Sequence, residues 1–473
     1  MMVRIVAVIV LAALSASAQA AGIPDEAWRT AEREALAHLK ALIRIDTSNP
    51  PGNEILAARY LRDALSRDGI RSELLISSGT RGSLVARLPG SGRKRPLLII
   101  CHTDVVPADR SKWSVDPFGA VEKDGYLYGR GAADIKGMCA AELTVMSLLR
   151  RHQVSLDRDV IFLAQADEES GGSDRHLDWL IDKHFDKLDA EFGINEGGFI
   201  LWRDGRIAAI DLQCGEKQYL DLNLSVRGKA GHSSKPGRED AVHVLVRALG
   251  RLADWEPEFE FPEVSMAYLR AVREDSSPEL RREINRLLGA EGKARSAAAR
   301  AIAGLSPEHG AILKDTCAVT ILKAGYKSNV IPATAEAVVN CRLLPGSDVA
   351  RFVSSLQDVM REPGVEVGYT RPKFPSPPAM PIDSELFRAV ENAAGELAPG
   401  APVRPYMAAW STDSLAFRAR GVKVYGLDPP LTVEDGERSH GADERIPVAA
   451  LGPYLKLLYG VVLRLAAARQ SAP

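Results

Sequence analysis

DVIFLAQADEESGG, residues 159–172, joins an apolar run to three adjacent carboxylates, Asp167, Glu168 and Glu169, and a glycine pair. The run has the length and composition of a buried strand, whose successive side chains point to opposite sides. Three acids in a row repel one another, so a solvated turn is the simplest reading. The other reading is a strand end that delivers acids to a site. What the remaining strand ends carry decides between the two.

Strand-like and helical runs alternate around this stretch. Residues 83–88, 96–104, 159–167 and 192–198 read as strands, and 138–150 and 173–184 as helices. Residues 25–67 are helical except at DTSNPPGN, which must loop. Apolar strands alternating with helices define an α/β layer architecture with a central, mostly parallel, buried sheet. After Cys214 the pattern changes: 219–228 alternates apolar and polar residues as a strand with one wet face does. A helix at 241–255, strands at 318–325 and 335–344, a helix at 349–361 and a strand at 365–370 follow. That order, β-α-β-β-α-β, is the ferredoxin-like unit. Residues 256–316 interrupt it with helical, partly Ala/Arg-rich patterning that carries no legible chemistry. The expected organisation is one domain over 21–214 and 373–473, interrupted by a second over 215–372.

A chain of 473 residues is too long for one core. A formal net charge of −2 leaves no basic surplus to neutralise nucleic acid or an anionic membrane surface. MMVRIVAVIVLAALSASAQA, residues 1–20, reads as a secretory signal cut after Ala20, which predicts a periplasmic or secreted protein without stable membrane insertion. No other stretch reads as long and apolar enough to span a bilayer. Cys101, Cys139, Cys214, Cys317 and Cys341 are odd in number, widely spaced and mostly in apolar segments. They read as small buried hydrophobes rather than a disulfide framework or a zinc cluster.

The other strand ends are rich in donors. CHTDVVP sets His102 and Asp104 two residues apart, on one face of extended chain. They read either as a metal ligand with its orienting carboxylate or as a turn with an incidental histidine. Asp134 lies between glycines in GRGAADIKGM before a helix, where N-capping is the plain alternative. Glu196 follows a further strand in INEGG, and His440 lies in the polar loop ERSHGADE. Two histidines with several carboxylates form a mixed N/O donor set suited to zinc, cobalt or manganese. Two ions sharing one bridging carboxylate need five ligands, and His102, Asp134, Glu169, Glu196 and His440 supply them.

The strings HTDVVP, GRGAADIKG, DEESGG, NEGG and SHGADE, in that order, resemble a dinuclear-metal amidohydrolase family. Its members include glutamate carboxypeptidase, aminoacylase, succinyl-diaminopimelate desuccinylase and carnosine dipeptidase. The resemblance spans essentially the whole chain after the signal. It implies two zinc ions bridged by Asp134, with His102 and Glu196 on one and Glu169 and His440 on the other. It implies Glu168 as general base and Asp104 as the residue that orients His102. The inserted unit matches the family's lid and dimerisation domain, which implies a homodimer. There the resemblance places His232, in GKAGHSSKP, at the oxyanion of the neighbouring subunit's site. Asn329, in KSNVIP, and Arg342, in CRLLPG, match contacts to a substrate carboxylate, a task that suits the planar guanidinium fork. AAWSTDSLAF departs from the family's glycine-rich stretch: Thr412-Asp413 is kept, but Trp410 replaces small residues. Trp410 reads equally as the wall of an apolar substrate pocket or as packed core. His38, His152, His176, His184, His243 and His309 read mostly as surface residues of helices and loops.

The implied reaction is hydrolysis, by metal-activated water, of an amide bond in a small substrate with a free carboxylate. Carboxypeptidase or N-acyl-amino-acid amidohydrolase ranks first and dipeptidase second, with the reverse condensation known in some secreted relatives. A non-catalytic periplasmic metal or solute binder on the same fold would need the ligands but no base, and Glu168 argues against it.

Overall fold

LLIICH (Leu97–His102), VIFLAQ (Val160–Gln165) and FGIN (Phe192–Asn195) are buried at every position. Continuous apolar runs of this kind belong to strands covered on both faces, and these lie side by side in parallel, with Lys423–Gly426 next in line. The computed structural model describes residues 22–170 and 175–468. The expected signal segment and the glycine pair Gly171-Gly172 therefore lie outside the described residues. Antiparallel strands flank the parallel middle: Arg81–Leu88 and Ser72–Ser78 on one side, the hairpin of Phe199–Arg203 with Arg206–Glu216 on the other. The helix Gly137–Arg151 packs on the Leu97–His102 and Val160–Gln165 strands, and also against Asp25–Arg44 and Val448–Ala466. The fold is mixed α/β around a large sheet that is parallel through its centre.

The chain divides into two units: Met1–Cys214 with Met380–Arg404 and Thr412–Pro473, and Gly215–Ala379 with Pro405–Ser411. In the second unit the strands run in the order Thr316–Ala324, Thr334–Leu343, Gln218–Arg227, Val365–Tyr369, antiparallel throughout. With the helices Ala241–Asp254 and Val349–Met360, this is the ferredoxin-like order. Leu220, Leu222, Leu224 and Val226 alternate with exposed or half-buried residues and pack with Val244, Leu245, Phe352 and Leu356. Each such side chain stabilises the unit by roughly 1.5–3 kcal/mol through burial, so Leu222→Ala should cost it about 2–5 kcal/mol. The helical patterning of 256–316 becomes the helices Glu263–Val272, Pro278–Gly289, Gly292–Leu305 and Pro307–Ala311. Two of these start on a serine whose hydroxyl accepts an amide of the first turn, followed by proline.

Three expectations need correction. Four of the five cysteines are bridged, Cys101 to Cys139 and Cys317 to Cys341, and Cys214 takes part in neither disulfide. The partners stand 38 and 24 residues apart, and spacing could not reveal that strand register and helix packing bring their Cβ atoms together. Cys317 lies directly opposite Cys341 in the ladder. Second, Val448–Ala466 is, by length and composition, apolar enough to cross a membrane. Its length is explained by packing, since it lies against Asp25–Arg44, Gly137–Arg151 and Glu385–Leu397 with most of its residues buried. Third, His176 is not a surface residue: it is buried between the hydroxyls of Ser77 and Ser83, at 2.7 and 2.8 Å.

Candidate active site

Parallel strands bring their carboxyl ends to one edge of a sheet. His102 is the last residue of its strand and lies in register with Gln165, two residues before Asp167 on the neighbour. Glu196 follows the third strand directly. Backbone conformation shapes this third end: Gly197 has φ +115°, a region that residues with a side chain rarely adopt. Asp134 enters from the turn before the helix Gly137–Arg151, and its peptide to Ile135 is cis. His440 enters from the loop after Val433–Gly436 with φ +64°, a conformation that costs a non-glycine residue energy and is found at functional sites.

These side chains converge. His102 Nε2 is 3.1 Å from Asp134 Oδ1, and His440 Nε2 is 3.0 Å from Asp134 Oδ2. His440 Nε2 is also 3.1 Å from Glu169 Oε1, and His102 Nε2 is 3.6 Å from Glu196 Oε2. Donor atoms of His102, Asp134 and Glu169 lie within 4.8 Å of one another, as do those of His102, Glu168 and Glu196. Imidazoles and carboxylates at this spacing, with each oxygen of Asp134 turned to a different imidazole, fit a pair of divalent cations.

The electrostatics of the cluster favour positive charge. Burial alone would lower the His102 imidazole, but Glu196, Asp104 and Asp134 hold it well above its ordinary value. Hydrogen bonds to Asp134 and Glu169 raise His440 to about 10. Desolvation, with Glu196 and Asp413 nearby, pushes the half-buried Glu168 carboxyl well above the usual range. Desolvation raises Glu196 to about 7 against the opposing pull of His102. A dense group of acids facing two imidazoles takes up protons or cations to relieve its own repulsion.

Asp104 does more than face His102. Its Oδ1 accepts the Glu168 amide at 3.1 Å, and its Oδ2 accepts the Glu169 amide at 3.0 Å and Asn49 Nδ2 at 2.8 Å. His102 Nδ1 is 3.6 Å from Oδ1 but 3.0 Å from the Asp104 main-chain carbonyl, so backbone and carboxylate share the orientation of the ring. Asp167, with φ +72°, is a structural carboxylate that accepts from Asn49, Arg81 and the His176 amide. Glu54, Asp104 and Asp167 form a third acidic group, in which Arg81 lies 2.5 Å from Glu54 and 2.8 Å from Asp167 and burial raises Glu54 to about 7. Asp413 accepts from Gln165 and, at 2.8 Å, from Arg175.

The remaining site candidates lie in the second unit. His232 and Val330 pair across a two-residue ladder, and the Asn329 carbonyl accepts the Ser233 amide at 3.2 Å. His232 is exposed and its Nδ1 is 2.8 Å from Ser234 Oγ. Arg342, half-buried, stacks over Tyr219 at 4.6 Å. Trp410 is 42% exposed beside Tyr406, which rules out the packed-core alternative. Sequence reasoning missed Asn49, Glu54, Arg81, Arg130 and Glu444. Arg130 and Glu444 stand inside the quoted strings GRGAADIKG and SHGADE, which was the available signal.

Residues 98–464 match the model of Peptidase family M20/M25/M40, and the chain belongs to that family of peptide- and amide-bond hydrolases. It is 32% identical over 383 residues to an N-fatty-acyl-amino acid synthase/hydrolase of Xenopus tropicalis, covering 75% of this chain and 70% of the relative. It is 24% identical to aminoacylase-1A of Rattus norvegicus, covering 87% of this chain and 92% of the relative. The fold matches an M20 family metallo-carboxypeptidase from Sulfolobus solfataricus with TM-score 0.69 and 21% identity, over 91% of this chain and 99% of that one. Human carnosine dipeptidase 1 matches with TM-score 0.63 and 20% identity, over 93% and 97%.

Proposed function

We propose that this protein hydrolyses the amide bond of small N-acyl amino acids bearing a free carboxylate, at a site that holds two divalent cations. The observation that carries the reading is Asp134, whose two oxygens stand 3.1 and 3.0 Å from the Nε2 atoms of His102 and His440. One carboxylate placed in that way would be able to serve two ions, one through each oxygen. His102 and Glu196 would hold one, and Glu169 and His440 the other, with zinc first and cobalt or manganese also suited to the donors. Bound there, such ions supply Lewis acidity to the scissile carbonyl and acidify water toward neutral pH. Glu168 takes the proton of the attacking water and returns it to the leaving amine. Asp104, through the amides of Glu168 and Glu169, sets where base and ligand stand. Within this reading His232 of a second copy supports the oxyanion, and Asn329 and Arg342 receive the substrate carboxylate.

The choice of N-acyl amino acids over dipeptides is supported by relatives named for N-fatty-acyl amino acids and by an aminoacylase. The test is release of free amine from a panel of N-acetyl to long-chain N-acyl amino acids and dipeptides, with chelator and metal add-back. Turnover of the N-acyl series that chelator abolishes is expected. No turnover across the panel by protein holding two ions would favour a non-catalytic binder, and turnover of dipeptides alone would favour a dipeptidase. Export and pairing through the second unit belong to the same proposal, and two disulfides suit an oxidising compartment. A mature N-terminus at Ala21 and a dimer mass by light scattering are the expected results.

A further inference from the structure

The ligands Asp134 and His440 come from turns about 300 residues apart in the chain, and one buried ion pair touches the backbone of both. Glu444 Oε1 accepts the amides of Ala133 at 2.9 Å and Asp134 at 3.1 Å. Its other oxygen lies 2.5 Å from Arg130 Nη1. Arg130 Nη2 in turn donates to the carbonyls of His440, at 3.1 Å, and Gly441, at 2.9 Å. Arg130 is 2% exposed and Glu444 is fully buried, so neither exchanges these partners for water. The Glu444 main chain also accepts the Gly129 amide at 3.0 Å, which closes the two segments against each other. Trp113 covers the guanidinium, with its ring centre 5.3 Å away.

We infer that Arg130 and Glu444 are positioning residues that clamp the Asp134 turn to the His440 loop and set the separation of the two imidazoles across Asp134. The inference rests on the two-cation reading above. The pair touches no reacting atom. Its effect passes through backbone groups of two ligands, and His440 needs such support because its backbone is left-handed and its side chain half-exposed. A guanidinium can serve Glu444 and two carbonyls at once because its donors lie in a rigid fork, and an ammonium has no such fork. Groups that orient a ligand rather than bind the ion typically contribute about 10- to 100-fold to metal affinity.

The test compares zinc binding by wild type, R130K and the charge-free double variant R130M/E444M, using competition with a chromogenic chelator. Melting temperatures of metal-free and metal-loaded protein are read in parallel. The expected result for both variants is affinity for at least one ion weakened about 10- to 100-fold, with a smaller metal-induced rise in melting temperature. R130K with both ions held at wild-type affinity overturns the inference. So do metal-free and metal-loaded melting temperatures that fall by equal amounts, since that marks a purely structural pair. Failure of both variants to fold also overturns it. Wild-type protein that binds no divalent ion overturns the function reading and this inference with it; two ions on wild type and unchanged variants overturn this inference alone.

Discussion

Asp104→Asn replaces one carboxylate oxygen by an amide NH2 with almost no change of shape. Asp104 is fully buried, and its oxygens accept the amides of Glu168 and Glu169 and the side chain of Asn49. If the NH2 takes the Oδ1 place, it faces the Glu168 N–H, donor to donor. If it takes the Oδ2 place, it faces both the Glu169 N–H and Asn49 Nδ2. At least one hydrogen bond to a charged group is lost either way, worth about 1.5–3 kcal/mol. At 1.4 kcal/mol per factor of ten, that predicts a loss of roughly 10- to 150-fold if the turn holds its place only in the wild type. The loss should fall on kcat, because the displaced group is the proposed base Glu168, and on affinity for the ion that Glu169 is proposed to hold. The assay is kcat and KM on the best N-acyl amino acid, with metal content and circular dichroism of the same preparation. A folded D104N with kcat and metal affinity within twofold of wild type would refute the reasoning.

Glu168→Gln should keep two bound ions while kcat falls by about 10²- to 10⁴-fold, measured as amine release beside metal analysis. The metal-free protein should lose stability as pH rises. His440, raised to about 10, contributes stability that is complete below its unfolded value near 6.5 and gone above about 10. Glu196, raised to about 7, contributes in the same sense between roughly 4.3 and 7. Melting temperatures at pH 6 and pH 9.5 should therefore fall for the metal-free form, and an unchanged or rising value contradicts this. Removing the Cys101–Cys139 bridge, which closes a separation of 38 residues, should lower unfolding free energy by about 2–4 kcal/mol in denaturant titrations.

Much of the fold was legible because each element reports its burial in its own residues. LLIICH and VIFLAQ announce two-sided burial, and YLDLNLSVRG announces one wet face; both appear as read. Proline and glycine mark DTSNPPGN as the break between helices Asp25–Arg44 and Glu54–Arg67. The donor set was legible for a related reason: acids and histidines at the ends of apolar runs are expensive unless something uses them. The disulfides were not legible, since Cys101 and Cys139 meet only because a helix lies on a strand. Asp167 stayed unexplained in one dimension because its partners Asn49 and Arg81 lie about 100 residues upstream.

The sequence by itself determined the kind of chemistry available: five strings, each with a donor at a strand end or glycine turn, and one glutamate beyond the proposed ligands. Only the tertiary structure decided which atoms meet. It turned the two oxygens of Asp134 to different imidazoles, gave the amides of Glu168 and Glu169 to Asp104, and joined GRGAADIKG to SHGADE through Arg130 and Glu444. The physical reason is that residue type sets what a side chain can donate or accept, whereas distance between segments far apart in the chain exists only once the sheet has aligned their ends. Within QADEES, Asp167 therefore belongs to the scaffold and Glu169 faces His440.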